Sequence, residues 1–247
     1  MNSALKTEQL AKEQMTRFIS DASHELRTPL TSLRGFLEIL ERSEKPDPGT
    51  IKIAHQTMLI ETERLIRMVE DLLTINRLAQ AKIEAPPLSH ATYVKEIMPE
   101  LLPLLNSISG SRVIEFQKTE IPFPLEPDQL KQVLINLVSN AIQYTHDNGQ
   151  IQVVGYETAD AVVLSVTDDG DGIAPSDQPF LFERFYRGSR SRKDRSKTGV
   201  GLGLAIVHDI VQLRDGQIHV KSEIDKGSTS FITFPKLSEK SEATDLP

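Results

Sequence analysis

The 247-residue sequence has no cysteine and no tryptophan, and aromatic residues make up only 5% of it. Without cysteine there is no disulfide, no thiolate metal site and no cysteine nucleophile, a composition suited to a reducing compartment. A net charge of −7, from 28 Lys+Arg against 35 Asp+Glu, argues against general nucleic-acid binding, which needs clustered positive surface. No apolar run approaches the roughly 20 residues that span a bilayer, and the opening MNSALKTEQLAKEQM lacks the apolar stretch of a signal peptide. The core is therefore expected to be aliphatic. The length fits one large or two modest domains, at about 150 residues per domain. No internal repeat is present.

Composition and periodicity change between residues 82 and 89. Before that point the chain is poor in glycine and reads as helix. Met15, Phe18, Ile19, Ala22, Leu26, Leu30, Leu33, Leu37 and Leu40 recur at spacings of three and four, a seam that packs along its length. Pro46, Pro48 and Gly49 interrupt it. A second stripe follows with Ala54, Met58, Leu65, Val69, Leu72 and Leu78. These features predict a helical hairpin whose half-covered stripe is completed by a second copy, giving a four-helix bundle and a homodimer. Lys82–Ser89, with Pro86-Pro87, reads as a stiff linker.

Beyond the linker the period changes, and helices and strands are grouped rather than strictly alternating. Helices are expected at 90–106, where Pro99 and Pro103 weaken the pattern, at 127–144 and at 201–213. Strands are expected at 112–117, 150–157, 161–167, 217–224 and 229–234. Such grouping favours an α+β sandwich, one mixed sheet with helices on one face. The expected segments are 1–14, the end of an incoming helix; 15–82, the hairpin; 83–89, the linker; 90–236, the sandwich; and 237–247, a polar, disordered tail.

His24 sits in Ser23-His24-Glu25-Leu26-Arg27-Thr28-Pro29-Leu30. At about 200° from both Ala22 and Leu26 around the helix, it faces away from the buried seam. Thr28 lies one turn on, near the same face. Pro29 cannot bond the Glu25 carbonyl and crowds it, so a kink is expected beside the imidazole, at a cost of about 3 kcal/mol. A neutral imidazole attacks phosphorus through one nitrogen when a base holds the proton on the other, and Glu25 is the nearest candidate base. Each residue alone also fits an ordinary solvated helix surface.

A phosphoryl donor is then required of the second half. Asn136 and Asn140 stand at i and i+4, oxygen ligands suited to a hard cation such as Mg²⁺, or simply a polar helix face. Asp168-Asp169-Gly170-Asp171-Gly172-Ile173 follows a strand; a carboxylate there accepts from a purine amino group, although Asp-Gly turns are common. Gly199-Val200-Gly201-Leu202-Gly203 opens into a helix whose first N–H groups suit phosphate. It is neither a Walker loop, since no Gly-Lys-Ser/Thr follows, nor a Rossmann turn, since no long strand precedes it. Between them lie Phe182-Glu183-Arg184-Phe185-Tyr186-Arg187 and a basic run, Arg190, Arg192, Lys193, Arg195 and Lys197, which read as a mobile lid.

Taken in this order, the motifs resemble the catalytic core of the sensor histidine kinases of two-component systems, across roughly residues 10 to 235. Ser23–Leu30 resembles the phosphoacceptor H-box, Asn136–Thr145 the N-box, Asp168–Gly172 the first glycine box, Phe182–Tyr186 the F-box and Gly199–Gly203 the second glycine box. Gly227–Phe231 resembles the late Gly-Thr/Ser strand element. The resemblance implies a dimerisation and histidine-phosphotransfer hairpin, then an ATP-binding domain of the gyrase, Hsp90 and MutL type. It implies that His24 is phosphorylated, that Glu25 orients or deprotonates it, and that Thr28 serves dephosphorylation of the response regulator. Asn136 and Asn140 are then the Mg²⁺ and phosphate residues, and Asp168 reads adenine. Gln143, Tyr144, Gly170, Gly172, Ile173, Arg184, Arg187, Gly199, Gly201, Leu202, Gly203 and Thr229 complete the ATP site.

Two positions depart from the family pattern. Gln143 stands where Lys is frequent, and Val200 where Thr is usual. The activity so implied is autophosphorylation of His24 by Mg·ATP and transfer to an aspartate of a response-regulator receiver domain, with possible phosphatase action. The expected setting is the cytoplasmic core of a membrane-anchored bacterial sensor. The alternative is a nucleotide-binding signalling scaffold without turnover; an ATPase or chaperone-like member of the same fold ranks below it.

Overall fold

The computed structural model describes residues 2–42, 46–84, 90–188 and 199–236. The Pro86-Pro87 linker, the basic run from Arg190 to Lys197 and the tail from 237 lie outside the described residues. The chain forms two compact units: Met1–Asn76 with Glu183–Leu202, and Arg77–Phe182 with Gly203–Pro247.

Two long helices dominate the first unit. Helix α1 spans Asn2–Arg42, unbroken through Pro29, and α2 spans Pro48–Glu84. Asp47 starts α2: its carboxylate accepts from the N–H groups of Gly49 (2.8 Å) and Thr50 (3.1 Å), and Pro48 needs no such partner. Ala22, Ala54, Met68 and Ile75 are buried in the hairpin. Several members of the expected seam are not: Met15, Ile19, Leu30, Leu37 and Val69 are about half exposed. The expected α2 stripe holds at Ala54 and Leu78, which are buried, and at Met58, Leu65 and Leu72, which are half-buried; only Val69 is exposed, and Met68 and Ile75 are buried in addition. No helix among the described residues is long and apolar enough to cross a membrane.

The second unit is an α+β sandwich, as expected. Its strands are β1 (Thr92–Tyr93), β2 (Val113–Gln117), β3 (Pro122–Phe123), β4 (Gln150–Glu157), β5 (Ala161–Asp168), β6 (Gln217–Glu223) and β7 (Gly227–Pro235). Its helices are α3 (Val94–Ser109), α4 (Pro127–Tyr144) and α5 (Gly203–Gln212). The main sheet runs β2-β4-β5-β7-β6, with β2 parallel to β4 and the other pairs antiparallel. Strands β1 and β3 form a small separate pair that the sequence pattern did not reveal.

Helix α3 runs through both prolines because Pro99 and Pro103 face solvent, where water can satisfy the carbonyls they leave unbonded. Its other face buries Val94, Ile97, Leu101 and Leu105. A reach-back from the third helical position starts both α3 and α4: Glu96 accepts from the Tyr93 N–H (3.1 Å), and Gln129 from the Glu126 N–H (3.2 Å). Leu130, Val133, Leu134, Leu137 and Val138 of α4 are buried, with Ile151, Leu164, Ile206 and Ile232 beside them in an aliphatic core. Burial of that stripe leaves the polar face of α4, which carries Asn136 and Asn140, half exposed.

Candidate functional site

In the first unit His24 is exposed on α1 while Ala22 and Pro29 are buried, the orientation its spacing demanded. The Thr28 hydroxyl donates back to the His24 carbonyl at 3.4 Å, which leaves its oxygen lone pairs able to accept. Glu25 is drawn sideways, with Oε2 3.3 Å from a guanidinium nitrogen of Arg64 on α2. Arg184 and Phe185 also belong to this unit. The Arg184 guanidinium lies over the Phe18 ring at 5.2 Å, and the Phe18 and Phe185 rings are 5.8 Å apart. The Phe185 N–H donates to the carbonyl of Gly201, a residue at φ +82°, at 2.9 Å, and Leu202 is buried. Arg187 is half-buried, as are Gly201 and the nearby Gly199.

The second unit gathers the other candidates along α4, at the end of β5 and at the start of α5. Asp168 ends β5 opposite Ser228 of β7. Its carboxylate accepts from the Gly170 N–H at 3.0 Å and from the Ser228 N–H. Burial still pushes its pKa up to about 6, with the two amides opposing and Asp169 and Asp171 adding to the rise. One residue back, Thr167 and Thr229 share a hydroxyl hydrogen bond of 3.1 Å. An open depression of about 360 Å³ beside Asp168 is lined by Thr167, Ser222, Gly227, Ser228 and Thr229.

The glycine turn fits tightly against α4. A Cβ on Gly170 would lie 2.3 Å from the Tyr144 carbonyl oxygen, and one on Gly172, at φ +64°, would lie 2.0 Å from the Glu223 carbonyl oxygen. The Asp171 N–H donates to that same Tyr144 carbonyl at 3.0 Å, and Ile173 N–H donates to the Ser222 hydroxyl at 2.8 Å. Tyr144 thus supports the turn through its backbone, a role unrelated to its ring. Gln143 is half-buried on α4.

Asn136 is engaged on both sides of its amide. Its Oδ1 accepts from Gln132 at 3.2 Å and its Nδ2 donates to the Gly203 carbonyl at 3.2 Å, joining α4 to the first residue of α5. Oδ1 keeps a second lone pair, and Asn140 lies one turn on along the same half-exposed face, so the pair fits an oxygen-ligated cation. The acceptor at Asp168 and the side-chain-free turn beside it fit a purine. Sequence reasoning missed Gln132, Ser222 and Ser228 as supports. Gln132 was legible as the residue at i−4 from Asn136, whereas the other two depend on strand register.

The comparisons with known proteins bear on the family and the fold. Residues 14–81 match the His Kinase A (phospho-acceptor) domain, and residues 125–238 match the histidine kinase-, DNA gyrase B- and HSP90-like ATPase family. The chain is 34% identical over 226 residues to the signal transduction histidine-protein kinase ArlS of Staphylococcus aureus, covering 90% of this chain and 49% of ArlS. It therefore spans about half the length of the curated relatives it matches. Among solved structures, the Acinetobacter baumannii histidine kinase AdeS superposes with a TM-score of 0.64 at 28% identity, covering 86% of this chain and 97% of AdeS. Full-length ShkA in complex with AMPPNP gives a TM-score of 0.58 at 25% identity, covering 90% of this chain and 45% of ShkA.

Proposed function

The chain belongs to the sensor histidine kinases, and on that premise we propose that it phosphorylates its own His24 from ATP and passes the phosphoryl group to an aspartate of a response-regulator receiver domain. The observation that carries this reading is His24 itself, an exposed imidazole with Glu25 beside it on an unbroken helix.

The neutral ring attacks the γ-phosphorus through one nitrogen. An N–P bond forms as the bond to the bridging oxygen breaks, and ADP leaves with that electron pair. Glu25 holds the proton on the other ring nitrogen, so charge does not accumulate on the imidazole. Phosphoryl transfer of this kind depends on positioning and charge neutralisation. Asp168 accepts from the adenine amino group, the glycine turn gives the base room, and the α5 N-terminus offers N–H groups to phosphate. Asn136 and Asn140 would hold Mg²⁺, which supplies neutralisation of phosphate charge. Arg184, Arg187 and the second glycine box are assigned to closure over the nucleotide. A water accepted by Thr28 accounts for phosphatase action on the regulator.

We assign the half-exposed Met15, Ile19, Leu30, Leu37, Ile53 and Ile66 to the homodimer interface. The parent protein is read as a membrane-anchored sensor whose cytoplasmic core this is.

Incubation with γ-labelled ATP and Mg²⁺ tests the assignment. Acid-labile, base-stable label on the protein, absent from His24→Ala, is the expected result. Nucleotide binding without label would favour the scaffold reading instead.

A further inference from the structure

Arg64 sits on α2, 39 residues from Glu25 in sequence and across the hairpin from it. Its guanidinium is shared. One terminal nitrogen is 3.3 Å from Glu25 Oε2, and the other is 3.8 Å from Glu61 Oε2 one turn back on α2. The Arg64 side chain is only 17% exposed and that of Glu61 21%, against 35% for Glu25. Glu61 Oε2 is buried and makes no hydrogen bond, so the cation is its compensation.

Two carboxylates therefore compete for one half-buried cation, and they are not equivalent. Glu61 is the more enclosed, and its buried Oε2 has no hydrogen-bond donor. Glu25 is the more exposed and adjoins the phosphoacceptor. If Glu25 turns toward His24, Arg64 keeps Glu61 as its counter-ion and no unpaired buried charge results, a state that would otherwise cost several kcal/mol. A hairpin needing only a cross-helix tie would be served by one carboxylate; the second makes the first releasable. Arginine suits this task, because its planar fork presents separate nitrogens to separate anions and stays charged at every relevant pH.

From this arrangement we propose that Arg64 is a positioning residue for autophosphorylation: it docks the Glu25 carboxylate next to His24, and Glu61 serves as the standing counter-ion that lets Glu25 exchange between the guanidinium and the imidazole. The proposal rests on the phosphoacceptor assignment of His24. Arg64 acts only through Glu25, so its effect must vanish when the Glu25 carboxylate is absent.

The test is a double-mutant cycle on the full chain, read as kcat and ATP KM for label incorporation. Arg64→Gln is expected to lower kcat by about tenfold, with KM for ATP changed less than about twofold, because ground-state nucleotide binding lies elsewhere. Arg64→Lys, which retains a cation without the fork, recovers part of that loss. In a Glu25→Gln background the same Arg64→Gln change has less than about a twofold effect. Glu61→Gln lowers kcat by leaving Glu25 the sole partner of the cation, and the double variant with Arg64→Gln is no slower than Arg64→Gln alone. An equal loss from Arg64→Gln with and without the Glu25 carboxylate would overturn the proposal as a general packing effect, as would full kcat in Arg64→Gln. No label on the wild-type chain would overturn the His24 assignment and this proposal together. Label on the wild type with an additive cycle overturns this proposal alone.

Discussion

The Asn136 carboxamide and the Gly203 carbonyl are hydrogen-bonded at 3.2 Å, tying the middle of α4 to the start of α5. Replacing Asn136 by Asp sets an oxygen against that carbonyl where a donor stood. Asn136→Asp should therefore destabilise the second unit by about 1–3 kcal/mol, whereas Gln132→Ala, which removes only the donor to Asn136 Oδ1, should remain within about 1 kcal/mol of wild type. Thermal melts followed by circular dichroism compare the two, and equal melting points would contradict the tie.

Two glycines that look alike in sequence should respond in opposite ways. At Gly172 a methyl would meet the Glu223 carbonyl oxygen at 2.0 Å on a backbone with φ +64°. Gly172→Ala is expected to lose roughly 2–4 kcal/mol of stability. At Gly203 the nearest atom to a new methyl is Asn136 Cγ at 3.6 Å, ordinary contact. Gly203→Ala should fold as well as wild type, and its nucleotide affinity, measured by titration calorimetry, should fall because the methyl intrudes on the proposed phosphate position. A large loss of stability in Gly203→Ala would contradict the open space at that position.

Asp168 gives a pH dependence with a definite sign. Its native pKa of about 6 exceeds the ordinary carboxyl value of 3.8, so between those values the native state binds more protons than the unfolded chain. Its contribution to stability is full below pH 3.8, is lost as pH rises through about 6, and is level above. Asp168→Asn should flatten that part of the melting-temperature profile and raise the melting point at neutral pH. Asp71 of α2, pushed up to about 6 by burial with Glu70 adding and Arg67 opposing, gives a slope of the same sign in the first unit and should be unaffected. Nucleotide affinity should move the other way in the wild type, weakening as pH falls through about 6 and the acceptor is protonated. A pH-independent affinity from 5 to 8 would contradict that role for Asp168.

Arg112 is a fourth point of leverage. Its Nε donates to the Thr145 carbonyl at 2.8 Å, and its other nitrogens reach the Ser109 carbonyl at 3.4 Å and the Asp147 carboxylate at 3.4 Å. It thereby closes the C-terminal ends of both α3 and α4. Arg112→Ala should cost about 1–3 kcal/mol, and the loop from Thr145 to Gly149 should gain hydrogen exchange. Unchanged protection there would refute the clamp.

Helix α4 was legible to the residue because every local signal agreed: a Pro at its first position, a reach-back Gln129 and a clean apolar stripe. The sheet strands were legible within two residues for the same reason, since alternation leaves little freedom. Helix α3 was harder, because two prolines argue against a helix unless one knows that both face water. The α2 stripe was misread at Val69, as the sequence contains enough aliphatic residues to draw more than one stripe. Only packing selects Met68 and Ile75. For the site, residue types and spacing exposed His24, Asp168 and the glycines. The hydrogen bonds that occupy Asn136 and the cation held between Glu25 and Glu61 depend on which turns of two helices meet, and no local pattern encodes that.

The pairing of Asp168 with Ser228 has a consequence for how the protein comes into being. The carboxylate is oriented by an amide of β7, some sixty residues further along the chain, so the proposed adenine acceptor is unfinished until β7 has zipped onto β5 in register. A slip of one residue would present Thr229 in place of Ser228 and turn the alternation over. On the proposed role of Asp168, nucleotide loading would then double as an inspection of the assembled sheet, and a misregistered chain should bind ATP more weakly.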